Sequence, residues 1–346
     1  MIKSIKVEER DAEKIKEYLK KYNFLNRKYK IFSKDKFVYF PLKGSSNNKK
    51  IEGYKVIENS FEKSLSMPNS YKETLKLPGD LYKKLPSSYD VIGNILLIKL
   101  DEKLLKYKNK IGKALIQTNK NINTVCLIEP VEGELRTRKI KLIAGDKNTI
   151  TKHTEYGITL EMDIKNVYFS PRLANERKRI SELVKENEII IDMFTGIAPF
   201  PIMISKYSKP SRIYAIDKNK DAIRYAEKNV KINNCLDKVE LINSDAKNAK
   251  KIIGKKYADR IIMNLPFSSY KFFKDAIKCI KKEAVIHYFE ILKEEDIKNR
   301  IKNLREICKK NSIYLKKYNI RKIKSYSPNE FYIGIDITLS KDADVA

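Results

Sequence analysis

The stretch Glu188-Ile189-Ile190-Ile191-Asp192-Met193-Phe194-Thr195-Gly196-Ile197-Ala198-Pro199-Phe200 limits the fold more than any other part of the chain. Its β-branched run is too short for a helix and is flanked by charge, so it reads as a strand buried on both faces, as in a parallel sheet. Gly196 supplies a tight turn next to whatever binds there. Pro199 suits the first turn of a following helix, where a missing N–H is harmless. A carboxylate and a glycine at the carboxyl end of a central strand mark the ligand crevice of an open α/β sheet.

A second strand, Arg212 to Ile216, ends in Asp217, about 20 residues beyond Gly196, where an acid can accept both hydroxyls of a ribose. A dinucleotide site would need several glycines so that backbone could approach a pyrophosphate, yet Ala198 and Pro199 follow Gly196. The spacing therefore favours a nucleoside without phosphates, and S-adenosylmethionine (AdoMet) fits. The alternative is a generic βαβ unit with charged strand ends.

Two further strand ends extend the pattern. Val239 to Ile242 leads to Ser244-Asp245, and Asp245 can take an adenine amino group. Arg260 to Met263 ends in Asn264-Leu265-Pro266-Phe267, where Pro266 fixes the turn that aims Asn264. Asn-x-Pro-Phe is also similar to motifs of amino-group methyltransferases, so ring-nitrogen and exocyclic-amine targets both remain open. Phe331, Ile333, Ile335 and Ile337 alternate with polar or small residues as a last, antiparallel strand. Helices are expected over Asp221–Asn234, Tyr270–Lys281 and about Glu294–Lys310, with a strand over Ala284–Phe289.

Ahead of this α/β region the sequence divides further, as 346 residues suggest. Residues 1–62 read as a small α+β unit, 63–87 as a polar linker, 88–165 as a β-rich basic domain, and 166–346 as the AdoMet-binding domain. The β-rich part should contain a Tyr89–Ile98 hairpin, a Val125–Ile128 strand, and strands over Leu135–Leu142, Thr149–Glu155 and Ile158–Asp163. On the first of those three strands, Arg136 and Arg138 share a face that could meet phosphate or a base edge. The net charge of +29 implies a polyanionic partner, and lysines spread over every segment point to a phosphate backbone rather than to a sequence. Genome composition or thermal adaptation is the competing source of the charge. No apolar run is long enough to span a bilayer. Four dispersed cysteines and two histidines make a zinc site improbable and fit a reduced, cytoplasmic protein.

Between the two regions lies Tyr168-Phe169-Ser170-Pro171-Arg172-Leu173-Ala174-Asn175-Glu176-Arg177. It reads either as an ordinary helix start with an acidic first turn or as a positioned base, Glu176, with Arg172 and Arg177 available for phosphates.

These motifs, with Asp-Met-Phe-x-Gly-x-x-Pro-Phe, Ile-Tyr-Ala-Ile-Asp, Met-Asn-Leu-Pro, Ser-Tyr-x-Pro-x-Glu (Ser325–Glu330) and the Ser88–Gly93 entry, resemble the archaeal and eukaryotic tRNA (guanine-N1)-methyltransferases acting at position 37. The resemblance covers nearly the whole chain. It implies a class I Rossmann-like methyltransferase domain with a mainly parallel seven-stranded sheet, AdoMet as donor, and tRNA as substrate, engaged at the anticodon stem-loop and, through the N-terminal unit, at its outer corner. A monomer without bound metal is expected. It implies Glu176 as general base, Arg136 as the cation near guanine O6, and Asn264 beside the reacting atoms. Tyr168, Arg177, Asp192, Phe194, Gly196, Asp217, Asp245, Asn264 and Pro266 would form the cofactor site. Members often have glycine at the place of Ala198 and lysine at that of Phe267. A wyosine-pathway branch on the same fold, transferring a methyl or an aminocarboxypropyl group, is the alternative.

Overall fold

A computed structural model describes residues 1–43, 51, 53–63, 70–131 and 138–342. The chain divides into two compact units, Met1–Thr74 and Leu75–Ala346.

In the first unit, alternation in Ile2–Glu8 (β1) buries Ile5 and Val7 against Leu19 of helix α1 (Ala12–Lys21). Strands β2 (Phe32–Lys34), β3 (Phe37–Pro41) and β4 (Val56–Asn59) complete an antiparallel sheet in the order β2-β3-β1-β4. The expected polar loop at Gly44–Lys50 lies outside the described residues.

The second unit opens with a short helix, α2 (Gly79–Tyr82). The expected hairpin follows as β5 (Asp90–Ile92) and β6 (Ile95–Ile98), turning at Gly93-Asn94. Helix α3 (Lys108–Thr118), β7 (Thr124–Val131) and β8 (Arg138–Gly145) complete a four-stranded sheet. Strands β9 (Ile150–Glu155) and β10 (Ile158–Asp163) pair as a ribbon. Ile92, Leu97 and Cys126 of this part share one buried cluster with Leu160, Ile180, Ile190 and Phe200 of the α/β part, so the two halves of the unit pack through a continuous core.

The α/β part runs α4 (Ala174–Leu183), β11 (Ile189–Asp192), α5 (Pro199–Tyr207), β12 (Arg212–Asp217), α6 (Lys220–Ile232), β13 (Val239–Asn243), α7 (Ala249–Ile253), β14 (Ala258–Met263), α8 (Ser269–Ile277), β15 (Ile280–Lys293), α9 (Asp296–Lys309), β16 (Tyr314–Ser327) and β17 (Glu330–Ser340). The sheet order is β13-β12-β11-β14-β15-β17-β16, and β17 alone runs against its neighbours. Strand order reverses between β11 and β14, so their carboxyl ends open the crevice where such sheets bind ligands.

Three expectations change. The helix expected to reach Lys281 ends at Ile277, because the fully buried Ile280 already starts β15. That strand is longer at both ends than Ala284–Phe289, since β17 pairs along it from Glu283 to Lys293. Strand β16 was not expected, because its lysines and arginines hide the alternation at the sheet edge.

Candidate active site

The carboxyl ends of β11, β12, β13 and β14 enclose a cavity of about 510 Å³. Tyr168, Arg177, Phe194, Gly196, Asp217, Asp245 and Asn264 all line it, so seven residues chosen from the sequence meet in one place.

The turn after β11 shapes its floor. Gly196 adopts φ +55, and Ala198 takes the left-handed conformation at φ +65 just before Pro199 opens α5. The Gly196 N–H thereby donates to Asp217 Oδ2 at 2.7 Å, and the Asn219 N–H donates to Oδ1 at 2.8 Å. Each carboxylate oxygen keeps a lone pair for a ribose hydroxyl. Asn219 in turn caps α6, its Oδ1 accepting from the Asp221 and Ala222 N–H groups. Burial raises the Asp217 pKa, opposed by those backbone donors. Asp245 Oδ1 accepts from the Lys247 N–H, and Lys218 Nζ lies 4.0 Å from Oδ2.

Asp192 and Pro266 do not form the wall. Asp192 is fully buried beneath Met193, Phe194 and Thr195, which do. The Phe194 N–H donates to its Oδ1 at 3.4 Å, and the Thr195 hydroxyl is close enough to favour the charged carboxylate. Burial, with Asp217 nearby, pushes the Asp192 carboxyl up to about 7. Pro266 shapes the turn from below: its carbonyl accepts from the Ile291 N–H at 3.0 Å. Buried Ser269 fastens the same turn, accepting from the Leu265 N–H and donating to the Met263 and Leu265 carbonyls. Asn264 is oriented by the Tyr332 hydroxyl, which donates to its Oδ1.

Arg177 reaches the cavity and is committed within the fold. It is 1% exposed, forms a bidentate pair with Glu155 of β9 at 2.5 and 2.6 Å, and donates to the Ser170 carbonyl. Arg172 pairs with Asp90 at 2.5 Å. Arg177 is thus buried in a pair with Glu155, whereas Arg172, paired with Asp90, stays exposed.

Glu176 is buried on α4 and stands outside the cavity wall. Its oxygens accept from Arg179 Nε (2.9 Å) and Nη2 (2.7 Å), and from Arg321 Nη2 (3.1 Å). The same two arginines clamp Asp336 of β17. Asp336 lies 2.5 Å from His287 Nδ1, while Arg260 lies 2.7 Å from His287 Nε2. Because arginine can only donate, Nε2 is the acceptor and Nδ1 carries the proton. Burial and the neighbouring arginines lower the His287 pKa, so the ring is neutral. Burial works to raise the Asp336 pKa, but His287 and the two arginines hold it far below the usual carboxylate range. Arg136 lies outside the described residues.

Comparison with known proteins places this architecture. Residues 151–316 match the TRM5/TYW2 methyltransferase domain, 71–149 the TYW2 N-terminal domain, and 4–51 the tRNA methyltransferase 5 N-terminal domain. A tRNA (guanine(37)-N(1))-methyltransferase Trm5b from Pyrococcus abyssi is 36% identical over 98% of this chain and 100% of its own. The chain belongs to the tRNA (guanine(37)-N1)-methyltransferase family. A solved complex of aTrm5 with tRNALeu is 31% identical and superposes with TM-score 0.78, covering 97% of this chain and 99% of that one. The structure of M. jannaschii TYW2 in complex with AdoMet is 30% identical, with TM-score 0.57, over 73% of this chain and 99% of that one.

The cavity suits the cofactor of such a family. Asp217 offers two acceptors at ribose spacing, and the buried Asp192 carboxyl behind Met193, Phe194 and Thr195 is a group whose ionised form a nearby cation would favour. Sequence reasoning missed Asn219 and Thr195 at this site, and Arg179, Arg321, Asp336 and His287 around Glu176. Asn219 was legible as the cap residue before a periodic helix. The cluster was not, since its members come from four elements and only folding brings them together.

Proposed function

We propose that this protein is an AdoMet-dependent tRNA methyltransferase that forms 1-methylguanine at position 37 of the anticodon loop. The relationship to Trm5b over 98% of the chain, N-terminal unit included, carries this reading. TYW2 relatives match less of the chain, 73% in the AdoMet complex, which makes the wyosine-pathway alternative the weaker one.

AdoMet, held by Asp217, Asp245, Asn264 and the Gly196 turn, supplies the electrophilic methyl. The protein's task is then to make guanine N1 nucleophilic. N1 carries a proton, and a carboxylate within hydrogen-bond reach can remove it, typically worth about 10²–10⁴-fold. Glu176 is the base: its two oxygens already accept from Arg179 and Arg321, and the same lone pairs can accept the N1 proton. It must turn from Arg179 and Arg321 to reach the base, and the incoming tRNA provides the occasion. Arg136 opposes charge gathering on O6. Asn264 orients the purine, and the lysine-rich surface binds the tRNA backbone. The unit Met1–Thr74 docks on the tRNA, and one chain suffices.

The decisive experiment is nucleoside mass spectrometry of a guanine-37 transcript incubated with pure protein and AdoMet. A methyl on N1 of guanosine is expected. An aminocarboxypropyl adduct, an exocyclic methylamine or no product would overturn the proposal. Glu176→Gln should lower turnover about 100-fold or more while tRNA affinity stays within threefold.

A further inference from the structure

Two sequence features remain without a role in this chemistry: the aromatic residue after Asn-Leu-Pro, and the tyrosine of Ser-Tyr-x-Pro-x-Glu. The fold brings them together. Phe267 lines the cavity, and its ring centre lies 5.5 Å from that of Tyr326 at an interplanar angle of 76°. Both are 51% exposed. Two large aromatic side chains half in water at the edge of a ligand cavity are unusual unless something covers them.

The backbone presents Tyr326 by design of the strand. On β16, Ser325 opposes Phe331 and Ser327 opposes Glu330, which leaves Tyr326 as the extra residue of a bulge. Bulges re-aim side chains and concentrate beside active sites. The Ser327 hydroxyl donates to Glu330 at 2.9 Å and secures the turn that follows. Exposed Lys218, Lys247 and Lys271 stand on the same cavity wall as Phe267.

Aromatic rings interleaved with lysines form the surface that binds unpaired nucleic acid, bases stacking on rings and phosphates meeting ammonium groups. Tyr326 is outside the cavity wall, so the pair addresses a base beside the one that enters. We propose that Phe267 and Tyr326, set nearly at right angles, form an aromatic platform on which an unpaired nucleobase flanking the target base stacks on one ring and meets the other at its edge. This rests on tRNA being the substrate, and it gives the aromatic residue at 267 a role in substrate recognition.

The test uses full-length protein and guanine-37 transcripts carrying 2-aminopurine at position 36 or 38. Phe267→Leu and Tyr326→Leu keep apolar bulk but remove the stacking face; Phe267→Tyr and Tyr326→Phe retain a ring. The wild type should change 2-aminopurine emission at one of the two positions. Each leucine variant should lose that change and bind tRNA roughly 5-fold or more weakly, the range of losing one base stack. For Tyr326→Leu, outside the cavity wall, AdoMet affinity should stay unchanged, and in both leucine variants the salt dependence of tRNA binding should hold, because no phosphate contact is removed. The ring-retaining variants should behave as wild type. Leucine variants that bind tRNA within twofold of wild type with the same emission change overturn the platform, even if 1-methylguanine forms. Absence of methylated product with the emission change intact and ring-dependent would leave the platform standing and overturn the proposed activity instead.

Discussion

Replacing Asp336 by asparagine tests whether the cluster behind Glu176 is an electrostatic unit. The cluster balances two carboxylates, Glu176 and Asp336, against two guanidinium groups, Arg179 and Arg321, around a neutral His287. Asparagine keeps the shape and removes one negative charge. It also puts an amide NH2 where only donors converge: His287 Nδ1–H, fixed by the Arg260 bond on the other nitrogen, and four guanidinium contacts. Breaking a buried ion pair by removing one partner costs about 3–5 kcal/mol. The side chains of Arg179 and Arg321 are 27% and 24% exposed, so water recovers part of the loss. The expected destabilisation is therefore near the lower limit, about 3 kcal/mol. Denaturant unfolding at pH 7.5 measures it. The double variant Asp336→Asn/Arg321→Gln, which restores neutrality, should lose at least about 0.5 kcal/mol less than the sum of the two single losses. The pH dependence has a definite sign. Asp336 and His287 both have folded pKa values below their unfolded ones, so their contributions are fully present above about pH 6.5. They fade as acidification protonates the unfolded histidine and then the unfolded aspartate, and the asparagine variant should lose the aspartate part of the limb, at and below the ordinary aspartate range, while the histidine part stays, since Asp336 raises the His287 pKa. A loss under about 1 kcal/mol with additive double-variant behaviour would mean that the cluster is a set of independent surface pairs.

Three further outcomes follow from the cavity. AdoMet affinity should rise up to about tenfold between pH 6 and pH 8, because a cation favours ionised Asp192, whose pKa stands at about 7. Calorimetry should show proton release, and both effects should shrink for S-adenosylhomocysteine, which lacks the sulfonium, and in Asp192→Asn. Ala198→Gly relieves about 1–2 kcal/mol of left-handed strain but gives up a buried methyl worth about 0.8 kcal/mol and adds unfolded-state entropy. Its melting free energy should thus stay within about 1 kcal/mol of wild type, whereas Ala198→Val should lose more than about 2 kcal/mol. Ser269→Ala strands the Leu265 N–H beneath Asn264, and should cost about 1–3 kcal/mol of stability while raising KM for AdoMet.

What could be read in advance was what one segment decides for itself. The Ile189–Asp192 strand, the Gly196 turn, the Pro199 helix start and the Asp217, Asp245 and Asn264 strand ends are local patterns, and the parallel sheet turns them into one wall. Edge strand β16 escaped notice because exposed lysines mask its period. The fates of Arg172 and Arg177 escaped because an arginine's partner is a tertiary fact: Asp90 and Glu155 lie far away in sequence and only packing delivers them.

That distinction also explains how a chain of net charge +29 can hold a cationic cofactor. A sulfonium pocket needs locally negative character, and stray cations inside the fold would defeat it. Arg177, which reaches the cavity, is neutralised by Glu155; Arg260 by Glu188; Arg179 and Arg321 by Glu176 and Asp336. With these inner arginines paired, Asp192 and Asp217 set the field at the cavity floor. Lys218, Lys247 and Lys271 are exposed on the cavity wall, where a polyanion arriving from outside would meet them. The two opposite electrostatic demands are met by depth: carboxylates govern below, and lysines above, where the aromatic pair waits.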